Sequence, residues 1–279
     1  MKRAAVMLKM IVCMKQVPMV SDLPWDPVTG TLTRDVAEGM MNPACKHALE
    51  AALVLKERHG GHITAMTMGP PMAEEILREA IALGADRCLM VSDQKMAGAD
   101  TLVTSFTLAR AIEIFCPDFD LILCGCHTSD SETAQVGPQL SEELRIPSIA
   151  AVEGLDLCGN AMRIKRVSDN FLETLEMDLP GLVTVATGFY VPRYASMSGL
   201  HDAFREPGIL TVGARDLGLD DDDVGLQGSA TRIMDIFSPV AKKENIVLKG
   251  APKKIVEELL DRFDDTIGSL IRKDLKAVK

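Results

Sequence analysis

No run of 18 or more apolar residues occurs in the chain, so no segment reads as a helix able to cross a bilayer. Positive charge is also short: 30 lysines and arginines face 40 aspartates and glutamates, a formal net charge of -10. That balance argues against DNA or RNA as the main ligand and disfavours an anionic membrane surface. No secretory signal is expected, because Lys9 and Lys15 interrupt the apolar part of MKRAAVMLKMIVCMKQVP and no small-residue cleavage site precedes the first strand-like segment. The seven cysteines, at positions 13, 45, 88, 116, 124, 126 and 158, show no repeated close-pair spacing. Reduced thiols in a cytoplasmic protein are therefore expected. Cys124 and Cys126 form only C-x-C, too tight and too isolated for a zinc half-site. Neither G-x-G-x-x-G nor a Walker sequence is present, and no nucleophile–base constellation is visible, so no catalytic residue is assigned.

What the chain does contain is alternation. Its 279 residues suffice for one large domain or two smaller ones of about 150 residues each. Short apolar segments at 7–17, 62–68, 87–91 and 121–124 read as strands buried on both faces. Between them 44–61, 73–84 and 101–115 carry helical spacing. Asn42 and Pro43 suit the start of the first helix, two glycines suit its end, and Asp100 can cap the third. Strands and helices alternating at this interval predict an α/β fold, a parallel sheet with helices on both faces. Two partly polar extended segments follow residue 152, then the apolar strand 182–188. The expected division is a nucleotide-binding α/β domain at 1–188 and a partner-binding loop, arm and C-terminal helix at 189–279. Residues 252–275 read as that helix. The stretch before it has no sheet of its own in this reading, so it is expected to pack on another protein. The run Asp220–Asp223 reads as a solvated turn.

CGCHTSDSETAQVGP (124–138) directly follows the fourth strand. In an open parallel sheet ligands sit at the carboxyl ends of the strands, and small residues let the backbone come close to them. Asp130 or Ser131 is expected to cap a helix starting near Thr133, whose free N–H groups would attract a phosphate. Beside a phosphate the Asp130 carboxylate would repel, so its expected role is loop shaping and not charge neutralisation.

KQVP (15–18), DPVTGTL (26–32), NPACKHALEAALVLKE (42–57), MGPP (68–71), ALGADR (82–87), GADT (98–101), the loop 124–138 and PRYAS (192–196) together resemble the electron transfer flavoprotein β subunit. The segment KRVSDNFLETLEMDLPGLVTV (165–185) is similar too, with Asn170 and Phe171 where paired glycines are commoner. The resemblance implies an adenine-nucleotide α-hydrolase-like fold and a heterodimer with a larger α subunit. It also implies FAD-based electron transfer between a flavin dehydrogenase of the acyl-CoA type and other acceptors. The β subunit would bind AMP or, in the bifurcating branch, a second FAD; NADH and ferredoxin are the further partners that branch implies. Carried over by motif, the nucleotide site comprises Cys13, Asn42, Pro43, Ala44, Cys45, Met68, Gly125, Cys126, His127, Thr128, Ser129, Asp130, Ser131, Glu132, Thr133, Ala134, Gln135, Val136 and Gly137. TAQVGP at 133–138 looks like the bifurcating branch: Ala134 stands where AMP-type relatives carry a larger polar residue, which leaves room beside a pyrophosphate, and Gly137 would permit close backbone approach. A recognition loop for the dehydrogenase would include Tyr194, Met197 and Leu200, with Met197 as its apolar anchor. From the residues alone, a free-standing adenine-nucleotide-binding enzyme or sensor stays open, though KQVP stands where an ATP pyrophosphatase would carry its phosphate loop.

Overall fold

The computed structural model describes residues 7–19, 25–26, 31–32, 39–205, 208–232, 234 and 246–264. In chain order the elements are β1 (Leu8–Met14), β2 (Gln16–Pro18), β3 (Trp25–Asp26), β4 (Thr31–Leu32), β5 (Gly39–Met41), α1 (Pro43–His59), β6 (Gly61–Met68), α2 (Glu74–Leu83) and β7 (Arg87–Val91). They continue with α3 (Thr101–Phe115), β8 (Leu121–Gly125), α4 (Val136–Glu143), β9 (Ser148–Cys158), β10 (Ala161–Ser168), β11 (Phe171–Asp178) and β12 (Gly181–Val185). The last are α5 (Met197–Arg205), β13 (Ile209–Val212), α6 (Gly225–Gly228) and α7 (Pro252–Arg262). The chain forms two compact units, Met1–Asp235 and Ile236–Lys279.

Nine strands of the first unit make one sheet in the order β11-β10-β9-β12-β8-β1-β6-β7-β13. From β9 to β13 every neighbouring pair is parallel, while β9, β10 and β11 run antiparallel. Central strands are buried on both sides because helices cover both faces. Leu8, Met10, Val12 and Met14 of β1 join a core with α1 and α2; Ile11 and Cys13 join a second core with α3 and α4. The local start and stop chemistry agrees: Pro43 opens α1, Gly60 leaves it at φ 76°, and the Asp100 carboxylate accepts from Val103 N at 2.9 Å to cap α3. This is the α/β class expected from the pattern.

Several expectations change. The first strand ends at Met14, and Gln16–Pro18 pairs instead with Gly39–Met41. Residues after 189 do contribute to the sheet, since Ile209–Val212 runs parallel to Cys88–Val91. This edge strand has only four residues and exposes its middle two, so it left neither an apolar run nor an alternation to read. Downstream, Leu217, Leu219 and Val224 pack into the second core. At the β10–β11 turn Asp169 (φ 49°) and Asn170 (φ 67°) adopt the left-handed conformations that paired glycines would supply, as these two residue types tolerate. Asp220–Asp223 forms a short turn in which the Asp223 carboxylate accepts from Asp220 N. Of the motif 26–32, residues 27–30 lie outside the described residues, as does the predicted continuation of the last helix beyond 264.

The sheet positions the site. β6 and β7 lie on one side of β1 and β8 and β12 on the other, so the direction of winding reverses at β1. Loops leaving β1 and β8 diverge there, and in open parallel sheets the carboxyl ends of the strands at such a reversal are where ligands sit.

Candidate functional site

β8 ends at Gly125, pressed against the start of α1. A Cβ on Gly125 would lie 2.7 Å from the carbonyl carbon of Ala44 and 2.8 Å from the backbone nitrogen of Cys45, so only glycine permits this approach. Cys126 N then donates to Val185 O at 3.1 Å, tying the loop to β12. Asn42 fastens the next turn. Its Nδ2 donates to His127 O at 2.8 Å and its Oδ1 accepts from Ser129 N at 3.0 Å, while its own N donates to Lys15 O at 2.9 Å. The expected side-chain cap of α1 is thus replaced: the Asn42 carbonyl accepts from Cys45 N and Lys46 N, and the side chain is spent on the loop.

Asp130 does not cap a helix either. α4 begins at Val136, not near Thr133, because Glu132 (φ 50°) and Ala134 (φ 55°) are left-handed and hold the chain out of helix. No side chain caps α4, and its first N–H groups face the loop without such a partner. Asp130 instead receives two hydrogen bonds from the Lys15 ammonium, at 2.8 and 2.7 Å, and one from Ser131 Oγ at 3.3 Å. Burial raises the carboxyl's pKa, but the Lys15 hydrogen bonds and charge outweigh it and hold Asp130 below the ordinary aspartate value. Thr128 Oγ1 and Ser131 Oγ are 2.8 Å apart, and Thr101 Oγ1 donates to Gln135 Oε1 at 2.8 Å, anchoring the far end of the loop to α3. Ser129 and residues 131–135 are exposed, leaving the loop apex open.

The remaining expected residues line the strand ends. Cys13 and Cys124 are register neighbours on β1 and β8, Met68 ends β6 against the second core, and Pro43, Ala44 and Cys45 form the first turn of α1. Burial pushes the Cys45 thiol up; a hydrogen bond with Cys13, then burial, does the same for Cys124. These two thiols are neutral, so they offer packing and not negative charge. Cys126 Sγ lies 3.1 Å from His127 Nδ1. Val136 is half-buried, and Gly137 faces the sheet: a Cβ there would meet the Thr184 methyl at 2.6 Å. The small size of Gly137 is therefore needed for α4 to sit on β12. Among the described residues no group of three histidines, cysteines or acids is placed to hold a metal ion. No helix among them is long and apolar enough to cross a membrane.

The model of the electron transfer flavoprotein domain matches residues 29–207, more than half of the chain. This chain belongs to the electron transfer flavoprotein β-subunit family. An electron transfer flavoprotein subunit beta of Thermoanaerobacterium thermosaccharolyticum is 36% identical over 257 residues, covering 92% of this chain and 98% of its own. The caffeyl-CoA reductase-Etf complex subunit CarD of Acetobacterium woodii is 38% identical over 244 residues, 87% of this chain and 92% of that one. Protein FixA of Azorhizobium caulinodans is 36% identical over 280 residues, 95% and 99% of the two chains.

In this family member a second region stands out, the segment 189–205. Tyr194 is 98% exposed and Met197 83%, with Phe189, Val191, Leu200 and Phe204 exposed beside them. Met197 and Leu200 lie on α5, a helix where a loop was expected. The segment is nevertheless firmly mounted. Arg193 forks onto the nearly buried Glu50 of α1, Nε to Oε2 at 2.9 Å and Nη2 to Oε1 at 2.7 Å, and Nη1 also bonds Glu57. These hydrogen bonds, Glu50 first, raise the Arg193 pKa further, and Arg193 lowers that of Glu57. His47 Nδ1 bonds the Tyr190 carbonyl, and Arg78 donates to Ala203 O at 2.7 Å while its guanidinium lies 5.4 Å from the Phe204 ring centre. Lys15 and Arg193 are not among the expected site residues, although they stand inside the motifs KQVP and PRYAS. A charged residue directly after a buried strand was the available signal for Lys15.

Proposed function

We propose that this β subunit binds FAD through the Gly125–Gly137 loop and, with a larger FAD-bearing α subunit, passes electrons between NADH or an acyl-CoA-type dehydrogenase and other acceptors, ferredoxin among them. The observation that carries the reading is the loop's build: small residues at the sheet's reversal point, pinned by Asn42 and Lys15, with an uncapped helix start beyond an open apex. The loop backbone, held in place by Asn42, with Cys13 beside it, would hold the nucleotide, and the α4 N–H groups would receive its phosphates. The bound flavin would supply the redox chemistry. The chain's own part is to fix the nucleotide at the strand ends and exclude water along the Cys13, Cys124 and Met68 side. Free thiols throughout fit a cytoplasmic setting. TAQVGP at 133–138 favours FAD and bifurcation over a structural AMP, and the names of the caffeyl-CoA and acryloyl-CoA reductase relatives support an acyl-CoA-type partner.

Tyr194, Met197 and Leu200 form the dehydrogenase face in this reading. For the α subunit, α7 offers Val256, Leu259, Leu260 and Phe263, exposed at the spacing of one helix face. Co-purification with the α subunit and a count of released cofactors tests the proposal. Two FAD per heterodimer and NADH-dependent flavin reduction are expected. One FAD plus one AMP without NADH oxidation would leave a simple carrier, and no nucleotide beyond one FAD would overturn the loop's assignment.

A further inference from the structure

The loop that should attract an anion carries a carboxylate at its centre. Asp130 is held with its side chain only 12% exposed, whereas that of Lys15 is 40% exposed. Among the described residues Lys15 is the one lysine or arginine whose side chain hydrogen-bonds any residue of 125–137. An ammonium has three N–H donors, and Asp130 takes two of them. One further N–H remains on the ammonium, and the lysine side chain is the more exposed of the pair. Lys15 also sits one residue beyond the end of β1, at the reversal point of the sheet, with its carbonyl fixed by Asn42 N. Its backbone is therefore set by the same residue that sets the loop.

From this geometry we infer that Lys15 is itself a ligand-binding residue, donating to a phosphate of the bound nucleotide from its Asp130-oriented ammonium. The inference rests on the loop being a nucleotide site, and it adds a contact that the loop residues do not supply. Asp130 then acts as a positioning residue, aiming the lysine and being neutralised by it. The contact is to phosphate oxygen, which the monophosphate of AMP and the pyrophosphate of FAD both present.

Equilibrium binding of AMP, FAD and adenosine to the heterodimer depleted of β-subunit nucleotide separates this from a purely structural ion pair. Lys15→Met should weaken AMP and FAD by about tenfold or more, the worth of a charged hydrogen bond, and leave adenosine unchanged. Lys15→Arg should recover most of the loss. Lys15→Met can also act by leaving Asp130 uncompensated, so the double variant Lys15→Met/Asp130→Asn decides. It should stay as weak for the phosphate-bearing ligands as Lys15→Met. Recovery of wild-type affinity in the double variant, or an equal loss for adenosine, would overturn the inference. A loss confined to AMP or to FAD would support it and assign the contact to a terminal phosphate or a pyrophosphate. Adenosine binding as tightly as AMP in the unaltered complex would sink this inference alone; binding of none of the three would sink the site.

Discussion

Helix α1 serves two regions that solve opposite problems. At its start, Asn42 and the close fit of Gly125 hold a loop of small and polar residues whose contacts are satisfied by backbone groups and by Lys15. Farther along, Glu50 and Glu57 hold Arg193 and with it a segment that leaves Tyr194, Met197 and Phe204 in solvent. Both regions are ordered by buried or half-buried polar anchors. They differ in what remains uncovered: polar backbone at the first, large apolar side chains at the second. An apolar patch kept rigid by ion pairs costs free energy in the isolated chain and is expected where another protein covers it. A polar loop at strand ends is expected where a small charged ligand sits.

The most damaging change to this division is predicted at Gly125. Gly125→Val drives side-chain atoms into the α1 backbone and should cost about 3 kcal/mol, because backbone at a helix start yields poorly. Thermal or urea unfolding would show it, with loss of the β-subunit nucleotide; a nucleotide-replete, fully stable variant would break the claim that loop and helix start form one unit. Next, Arg193→Met leaves Glu50 nearly buried without its partner and should cost about 2 kcal/mol, less than a fully buried pair since Arg193 is about a third exposed. Hydrogen exchange should rise at 190–205 and remain unchanged at 125–137. A smaller effect on stability, near zero, is expected of Met197→Ala, together with a loss of dehydrogenase affinity of about 2 kcal/mol. Unchanged transfer kinetics would remove Met197 from the docking face. The smallest effect is a pH dependence confined to the loop. Asp130 has a folded pKa below its unfolded value of about 3.9, so its contribution is complete above that value and is lost as pH falls through the lower, folded one. Loop protection should therefore persist at pH 5 and decline only in stronger acid.

The buried half of this molecule was largely legible in the sequence, because double-sided burial writes itself as the short apolar runs of β1, β6, β7 and β8 and good caps write Asp100 and Gly60. The site was legible as a location, the loop after β8, but its wiring was not. Asn42 and Asp130 were each assigned to the helix nearest in sequence, whereas Asn42 bonds residues 85 and 87 positions away and Asp130 one 115 positions away. Local capping propensity and long-range pairing use the same side-chain oxygens, and sequence spacing reports only the first. β13 was hidden for a different reason: an edge strand of four residues with two exposed has too little periodicity to be distinguished from loop.

One comparison tests the division of labour most directly: the adenine nucleotide released per heterodimer from Asn42→Ala and from Met197→Ala, counted after denaturation beside the unaltered complex. Asn42→Ala removes the donor to His127 O and the acceptor for Ser129 N, while Met197→Ala trims a side chain that is 83% exposed. The account predicts that Asn42→Ala loses the β-subunit nucleotide and keeps the FAD of the α subunit, and that Met197→Ala keeps the full complement. Full nucleotide content in Asn42→Ala, or its loss in Met197→Ala, would contradict it.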